Sequence, residues 1–191
     1  GYNAIHPGDS NPNLSSMTIR DAIKAIGVKG GRGAIGAYQL TSPLQQAASA
    51  GLGPDDIFSP ENQDKIAVAI IKGRGVTLDM VKNNPAEAQI RVAQIWAGLP
   101  VPSAMKGYQG RQLKAGDSFY EGYNGNTSTT TNAKVQAALA KVAGGGTQTQ
   151  VNRRGRQVTS PVSSVGDKLS RAAESMRGFK TDRGPAGGRR A

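Results

Sequence analysis

The composition of the chain changes at Gly144, and this change limits how much of the chain can fold. Residues 144–191 open with three consecutive glycines and carry 10 Lys and Arg against 3 Asp and Glu, a net charge of +7. Residues 1–143 carry 14 against 10, a net charge of +4. A Gly-rich opening is typical of flexible linkers. The pattern predicts a folded domain over residues 1–143, long enough to bury a core, and a Gly-rich linker with a basic extension over 144–191.

Capping residues and a 3.6-residue apolar period predict that the domain is mainly α-helical. Ser59-Pro60 and Asn84-Pro85 each place a capping residue before a proline at the first helical position, and Thr18 has the same capping role. We expect loops through residue 15 and at most a small β-hairpin between residues 27 and 40, because no segment alternates with period 2. The predicted helices cover residues 19–26, 43–51, 60–72, 85–99 and 132–142.

Absent and rare residue types exclude several kinds of chemistry. The 191 residues include no Cys and one His. This excludes a disulfide framework, a Cys-ligated metal and a thiol nucleophile, and argues against a Ser-His-Asp triad or a His-rich zinc site. No apolar run approaches the ~18 residues of a membrane span, and no segment has a signal-peptide pattern. We therefore expect no cofactor, no metal ion and no stable membrane span.

Four short motifs follow one another along the predicted domain: GAYQLTS at 36–42, FSPENQD at 58–64, GRG at 73–75 and IWAGLP at 95–100. In this order and at these spacings they resemble motifs of the lambda-type phage endolysins and related phage lysozyme-like muralytic domains. A further segment, GDSFYEG at 116–122, is similar to one in members that are carried in the phage particle. The resemblance covers residues 1–140. It implies a lysozyme-like fold that cleaves the MurNAc-GlcNAc linkage of peptidoglycan.

The resemblance also implies a single catalytic Glu, acting as general acid. In related lytic transglycosylases the 6-hydroxyl of the sugar attacks and leaves a 1,6-anhydro product, so one carboxyl group of raised pKa in a partly dry cleft is enough. In similar domains the acid stands just before a Gly-Tyr segment, and Gly1-Tyr2-Asn3 matches the place just after it. The expected Glu would therefore lie upstream of Gly1. Three explanations stay open: the chain is cut after the acid, another segment completes the site, or the domain is inactive.

Other carboxylates are poor substitutes for this acid. Asp21, Glu61 and Glu87 have the positions of capping or first-turn residues, where the helix dipole lowers a carboxyl pKa. Asp9 lies in a predicted loop near the cleft and is a weak substitute.

Five residues are candidates for substrate binding. Tyr38 and Gln39 lie on a Gly-hinged segment where a ring and an amide suit N-acetyl sugars, although Tyr38 could instead pack under the loop. Tyr2 and Asn3 are candidates because they lie next to the expected position of the acid, and Tyr120 is a candidate groove wall. Trp96 lies on an apolar helical stripe, which favours a core position.

The basic extension has several interpretations. Arg153, Arg154 and Arg156 form a cationic cluster suited to nucleic acid or to a partner protein. After it, Ser160-Pro161 could start an amphipathic helix that docks on a protein, a membrane surface or DNA. The alternative is a solvated linker.

These observations favour a phage virion-associated domain that acts at the bacterial cell wall or periplasm and opens peptidoglycan during genome entry. Its expected partners are peptidoglycan, other virion proteins and, through the basic extension, packaged DNA. The alternative is an inactive structural or ejection virion protein that keeps the fold. A free lysis enzyme is a third option.

Overall fold

The computed structural model describes residues 1–6, 9–26, 33–143, 147–151 and 157–161. Within these ranges the fold is mainly helical, as predicted. None of the helices in this described part is long and apolar enough to cross a membrane. The helices are α1 (Ile19–Ala25), α2 (Pro43–Ser49), α3 (Pro60–Gly73), α4 (Leu78–Asn83), α5 (Pro85–Ala93) and α6 (Asn132–Ala143). The strands are β1 (Ala4–His6), β2 (Asp9–Ser10), β3 (Ala34–Ile35), β4 (Met105–Lys106), β5 (Gln112–Leu113), β6 (Thr147–Val151) and β7 (Gln157–Pro161).

The helix starts lie where the capping signals place them. The side chains of Thr18, Ser59 and Asn84 each accept a hydrogen bond from the main-chain N–H three residues further on. Helix α5 ends at Ala93, so the prediction that it continues to residue 99 is wrong at that end. Helix α4, which was not predicted, begins after the N-cap Thr77.

A three-stranded antiparallel sheet occupies part of the segment that was predicted to be loop. Strand β1 lies in the middle, between β2 and β3. The loop prediction for the first 15 residues is therefore wrong at β1 and β2. A β-bridge between Ile35 and Leu40 closes a tight turn within the region where a small hairpin was expected. Strands of two or three residues are too short to show a period-2 pattern in the sequence.

Two clusters of apolar side chains form the core, and helix α3 contributes to both. Ile66 and Ala67 belong to the first cluster, with β1, α1 and the turn after β3. Val68 and Ile71 belong to the second, with α4, α5 and α6. Trp96 is partly buried against both clusters, which agrees with the expected core position.

The basic extension contains a two-stranded ribbon. Strands β6 and β7 pair antiparallel, from Thr147 opposite Pro161 to Val151 opposite Gln157. Ser160 and Pro161 thus lie in a strand, so the predicted helix does not start there, and its remainder, 162–177, lies outside the described residues. The predicted contact cluster of three arginines also lies outside them, between β6 and β7 in sequence: Arg153, Arg154 and Arg156.

Candidate functional site

The turn between Gly36 and Leu40 carries two of the predicted substrate-binding residues. Main-chain hydrogen bonds of 3.1 and 2.9 Å join Ile35 and Leu40 and close the turn. Gly36 has a φ of +78°, and a Cβ added there would collide with the Gln63 carboxamide. Gln39 has a φ of +51°, in the left-handed region that few non-glycine residues adopt. The turn thus has positive φ angles at both Gly36 and Gln39, and it packs closely against Gln63 of α3.

Gln63, in the first turn of α3, connects three segments. Its side chain is fully buried. The Oε1 atom accepts from the N–H of Ala37 at 3.0 Å, and Nε2 donates to the main-chain oxygens of Tyr2 at 3.1 Å and Phe58 at 2.9 Å. The carboxamide thus joins the 36–40 turn to the N-terminal segment and to the start of α3.

Asp64 makes a second connection beside the first. Its Oδ1 atom accepts hydrogen bonds from the hydroxyl groups of Tyr2, at 2.9 Å, and Tyr38, at 2.8 Å. The two tyrosines are 36 positions apart in the sequence, and one carboxylate brings their hydroxyls together. Gln63 and Asp64 lie at the end of the FSPENQD motif, and no sequence signal connects them to Tyr2 and Tyr38, because these contacts span 26 to 62 positions.

Tyr38 lies in the core, with 5% of its surface exposed. Its ring faces that of Trp96, with centroids 6.2 Å apart, and the indole Nε1 donates to the main-chain oxygen of Tyr38 at 2.9 Å. Gln39 is only partly buried, so the amide, more than the ring, is the part of this dipeptide that reaches the surface. A sugar contact by either residue stays a prediction.

Asn3 shapes the loop that follows β2. Its Nδ2 donates to the main-chain oxygen of Pro12 at 2.9 Å, and its Oδ1 accepts from the N–H of Ser15 at 2.9 Å. Asn3 therefore holds residues 11–15 against the N-terminal segment, and its predicted contact with substrate stays untested.

Tyr120 is buried in a group of aromatic side chains separate from the Tyr38–Trp96 pair. Its hydroxyl donates to the main-chain oxygen of Gln94 at 2.7 Å, and burial raises the pKa of this hydroxyl above its usual value. The ring contacts those of Tyr108 and Phe119, with centroids 5.3 and 5.2 Å away. Tyr120 has 8% of its surface exposed, and its role as a groove wall stays a prediction.

The carboxyl groups with perturbed pKa values do not suit a general acid. The Thr18 hydroxyl, followed by Lys24, holds the pKa of Asp21 below its usual value. The main-chain N–H of Glu61 itself, with the Ser59 hydroxyl, lowers the pKa of Glu61. Both groups are exposed at helix starts, as the sequence predicts. Asp9 lies in β2, opposite Ile5, at the edge of the sheet away from β3.

The small sheet packed beside helices, with a glycine-hinged turn at their junction, defines a lysozyme-like, mainly α fold. The chain belongs to the endolysin family, whose family model matches residues 1–130. The endolysin of Escherichia phage lambda is 32% identical over 105 residues, which is 52% of this chain and 61% of the lambda protein. The chain therefore spans about three fifths of the length of this relative. No solved structure gives a significant match.

Proposed function

We propose that this chain is a peptidoglycan-cleaving protein of a phage particle, which cuts the MurNAc-GlcNAc linkage during genome entry. Membership of the endolysin family supports the substrate, and the segment at 116–122 and the charge of the basic extension support the place in the particle. The single observation that carries the site is the meeting of Tyr2 and Tyr38 on Asp64. It anchors the N-terminal segment beside the 36–40 turn.

The proposed acid is a Glu that precedes Gly1 in the intact gene product. A Glu attached to the N-terminal segment would be held near the 36–40 turn, because Gln63 and Asp64 fix that segment at Tyr2. The acid would protonate the glycosidic oxygen as its bond to C1 breaks. The 6-hydroxyl of the same sugar would close on C1 and return its proton to the carboxylate, which restores the acid. No second carboxylate takes part in this reaction.

A zymogram of the intact gene product on peptidoglycan, with a variant in which the preceding Glu is replaced by Gln, tests this proposal. We expect clearing by the wild type and none by the variant. Mass analysis of the released muropeptides distinguishes the reactions, because an anhydro product is lighter than a hydrolysed product by one water. The absence of a Glu before Gly1, or clearing by the Gln variant, would refute the proposed acid.

The second candidate is a virion protein that keeps the fold without activity and binds DNA or other virion proteins. The net charge of +7 on residues 144–191 favours it, because clustered Lys and Arg bind phosphates in a salt-dependent way. In this case Arg153, Arg154 and Arg156 would contact DNA. Deletion of residues 150–191 should then abolish salt-sensitive DNA retention, and unchanged retention would exclude this role.

A further inference from the structure

In the described part of the chain, the non-glycine residues with a left-handed backbone all belong to one type of dipeptide. Three residues there have a positive φ without being glycine, with values of +51°, +56° and +52°. Each is an amide residue, and each directly follows a tyrosine. The three dipeptides are Tyr38-Gln39, Tyr108-Gln109 and Tyr123-Asn124.

This backbone conformation is costly for residues with a Cβ. Glycine adopts it freely, Asn tolerates it, and Gln gains nothing there from its own backbone. Residues in such conformations persist only where the surrounding structure holds them there, and they cluster at functional sites. The three amide side chains are therefore candidates for ligand contacts.

Two of the three dipeptides lie in repeated turns. Gly107–Gly110 reads Gly-Tyr-Gln-Gly and Gly122–Gly125 reads Gly-Tyr-Asn-Gly, and the last three residues of each form a 3-10 turn. The rings of Tyr108 and Tyr123 meet edge to face, with centroids 4.8 Å apart. The two similar tetrapeptides thus place their tyrosine rings in contact with each other.

The polar groups of the two turns face solvent. Gln109 and Asn124 are exposed, whereas both tyrosine rings are half-buried. Arg111 directly follows the first turn, and its Nη1 donates to the main-chain oxygen of Glu121, which directly precedes the second turn, at 3.1 Å. The surface therefore consists of the Tyr108 and Tyr123 rings with an amide side chain beside each. The hydrogen bond of Arg111 joins the two turns.

This surface is connected to the 36–40 turn through the segment after α5. Gln94 accepts the hydrogen bond of the Tyr120 hydroxyl, and the Tyr120 ring packs under Tyr108. Two residues later, Trp96 donates to the main-chain oxygen of Tyr38. One short segment thus positions both the predicted groove and the paired turns.

We propose that Tyr108, Gln109, Tyr123 and Asn124 form a carbohydrate platform for an N-acetylated amino-sugar strand, beyond the 36–40 turn. The inference rests on the proposed function, which supplies the substrate class. The C–H face of a sugar packs on an aromatic ring, and a carboxamide offers both donors and an acceptor to hydroxyl and acetamido groups.

The side chains favour a glycan over single-stranded nucleic acid. Proteins that bind single strands combine aromatic stacking with a cationic groove along the backbone. Here the side chains at the left-handed positions of the two turns are neutral amides, and the neighbouring Arg111 uses Nη1 to hold the main-chain oxygen of Glu121. Nucleic acid is therefore the alternative outcome of the test.

Calorimetric titration of the 191-residue chain with the β-1,4-linked hexamer of N-acetylglucosamine tests the proposal. The informative variant is the double substitution Gln109→Gly and Asn124→Gly, because glycine removes both amides and also relieves the left-handed strain, so the fold is retained. We expect Kd to rise about tenfold or more, since each lost hydrogen bond is worth ~1 kcal/mol. Gln45→Ala, which removes an exposed amide from α2, is the matched control and should leave Kd unchanged.

A second variant, Tyr108→Leu with Tyr123→Leu, keeps apolar packing and should also weaken binding. Unchanged Kd in both double variants overturns the platform, and so does a wild type that does not bind the hexamer. Loss of oligodeoxythymidylate binding in the double variants, with hexamer binding intact, overturns it in favour of nucleic acid. The zymogram judges the proposed function separately, because peptidoglycan clearing with unchanged Kd in the variants refutes the platform alone.

Discussion

The indole nitrogen of Trp96 donates a hydrogen bond to the main-chain oxygen of Tyr38, 2.9 Å away and 58 residues earlier in the chain. Through this bond the segment after α5 supports the 36–40 turn. The only Trp of the chain is thus both a core residue and a positioning residue for that turn.

Trp96→Phe should lower the free energy of unfolding by about 2 kcal/mol, because it leaves the Tyr38 carbonyl without this donor and removes part of a packed ring. The urea midpoint, followed by circular dichroism since the variant has no Trp, measures the loss. Gln45→Ala should have the midpoint of the wild type. A Trp96→Phe midpoint equal to that of the wild type would show that the bond contributes no stability.

Two fully buried glutamines allow a matched comparison. Gln63→Leu should cost about 3–5 kcal/mol, because it leaves the Ala37 N–H and the Tyr2 and Phe58 carbonyls unpaired. Gln89→Leu should cost about half as much. Only the Nε2 of Gln89 is bonded within the described part, to Pro100 and Asn132. Equal losses in urea denaturation would contradict the central position given to Gln63.

Two glycines with nearly equal left-handed φ angles, Gly36 and Gly51, separate backbone strain from steric collision. Gly51, with a φ of +76°, has open space around a hypothetical Cβ, so Gly51→Ala should cost only about 1 kcal/mol of backbone strain. Gly36→Ala adds a collision with Gln63 and with the Phe58 ring, 3.0 Å away, and should cost about 3 kcal/mol or more. Thermal unfolding of both variants checks the difference. Similar melting temperatures would mean that the Gln63 and Phe58 side chains move aside at little cost to make room for the added methyl group.

Asp64 is expected to act through its acceptor atom. Asp64→Asn keeps an oxygen that can accept from the hydroxyls of Tyr2 and Tyr38, so it should cost less than about 1 kcal/mol. Asp64→Leu removes the acceptor and should cost about 2–3 kcal/mol. Urea midpoints of the two variants give the comparison. If Asn were as damaging as Leu, the carboxylate charge, rather than the paired hydroxyls, would be what the site requires.

The pH dependence of stability should include a contribution from Glu61. Hydrogen bonds from its own main-chain N–H and from Ser59 lower its pKa in the folded protein below the usual 4.5. The unfolded chain therefore binds the proton first, so the contribution is present above pH 4.5 and is lost as the pH falls through the folded pKa. Glu61→Gln should be less stable than the wild type at neutral pH, and the difference should shrink below pH 4.5. Denaturation curves at pH 7 and pH 3 measure it, and a constant difference would refute the assignment.

Helix starts could be predicted because their signals are local. Thr18, Ser59 and Asn84 each act on a residue three positions away, within the reach of a sequence pattern. The early end of α5 could not be predicted, since Ile95 and Trp96 continue the apolar period although both lie beyond the last helical residue, Ala93. Strands as short as β2 have no pattern to detect.

The site was predicted in outline but not in its connections. The motif at 36–42 indicated the turn, yet the bonds that fix it join residues 26 to 62 positions apart. Such bonds depend on how helices and sheet come together, which composition and spacing do not determine. The buried position of Tyr38 follows from the same long-range packing, because Trp96 reaches it only in the folded chain.

Helix α3 contributes side chains to both core clusters, and its first turn carries Gln63 and Asp64. Amide hydrogen exchange in the middle of such a helix is expected to require global rather than local opening, since α3 cannot open without exposing both core clusters. We therefore expect Gln63 and Asp64, which shape the 36–40 turn, to be carried by a slowly exchanging helix. A destabilising substitution in either cluster, even far from the 36–40 turn, would raise the fraction of molecules in which α3 has opened and would thereby disrupt the turn.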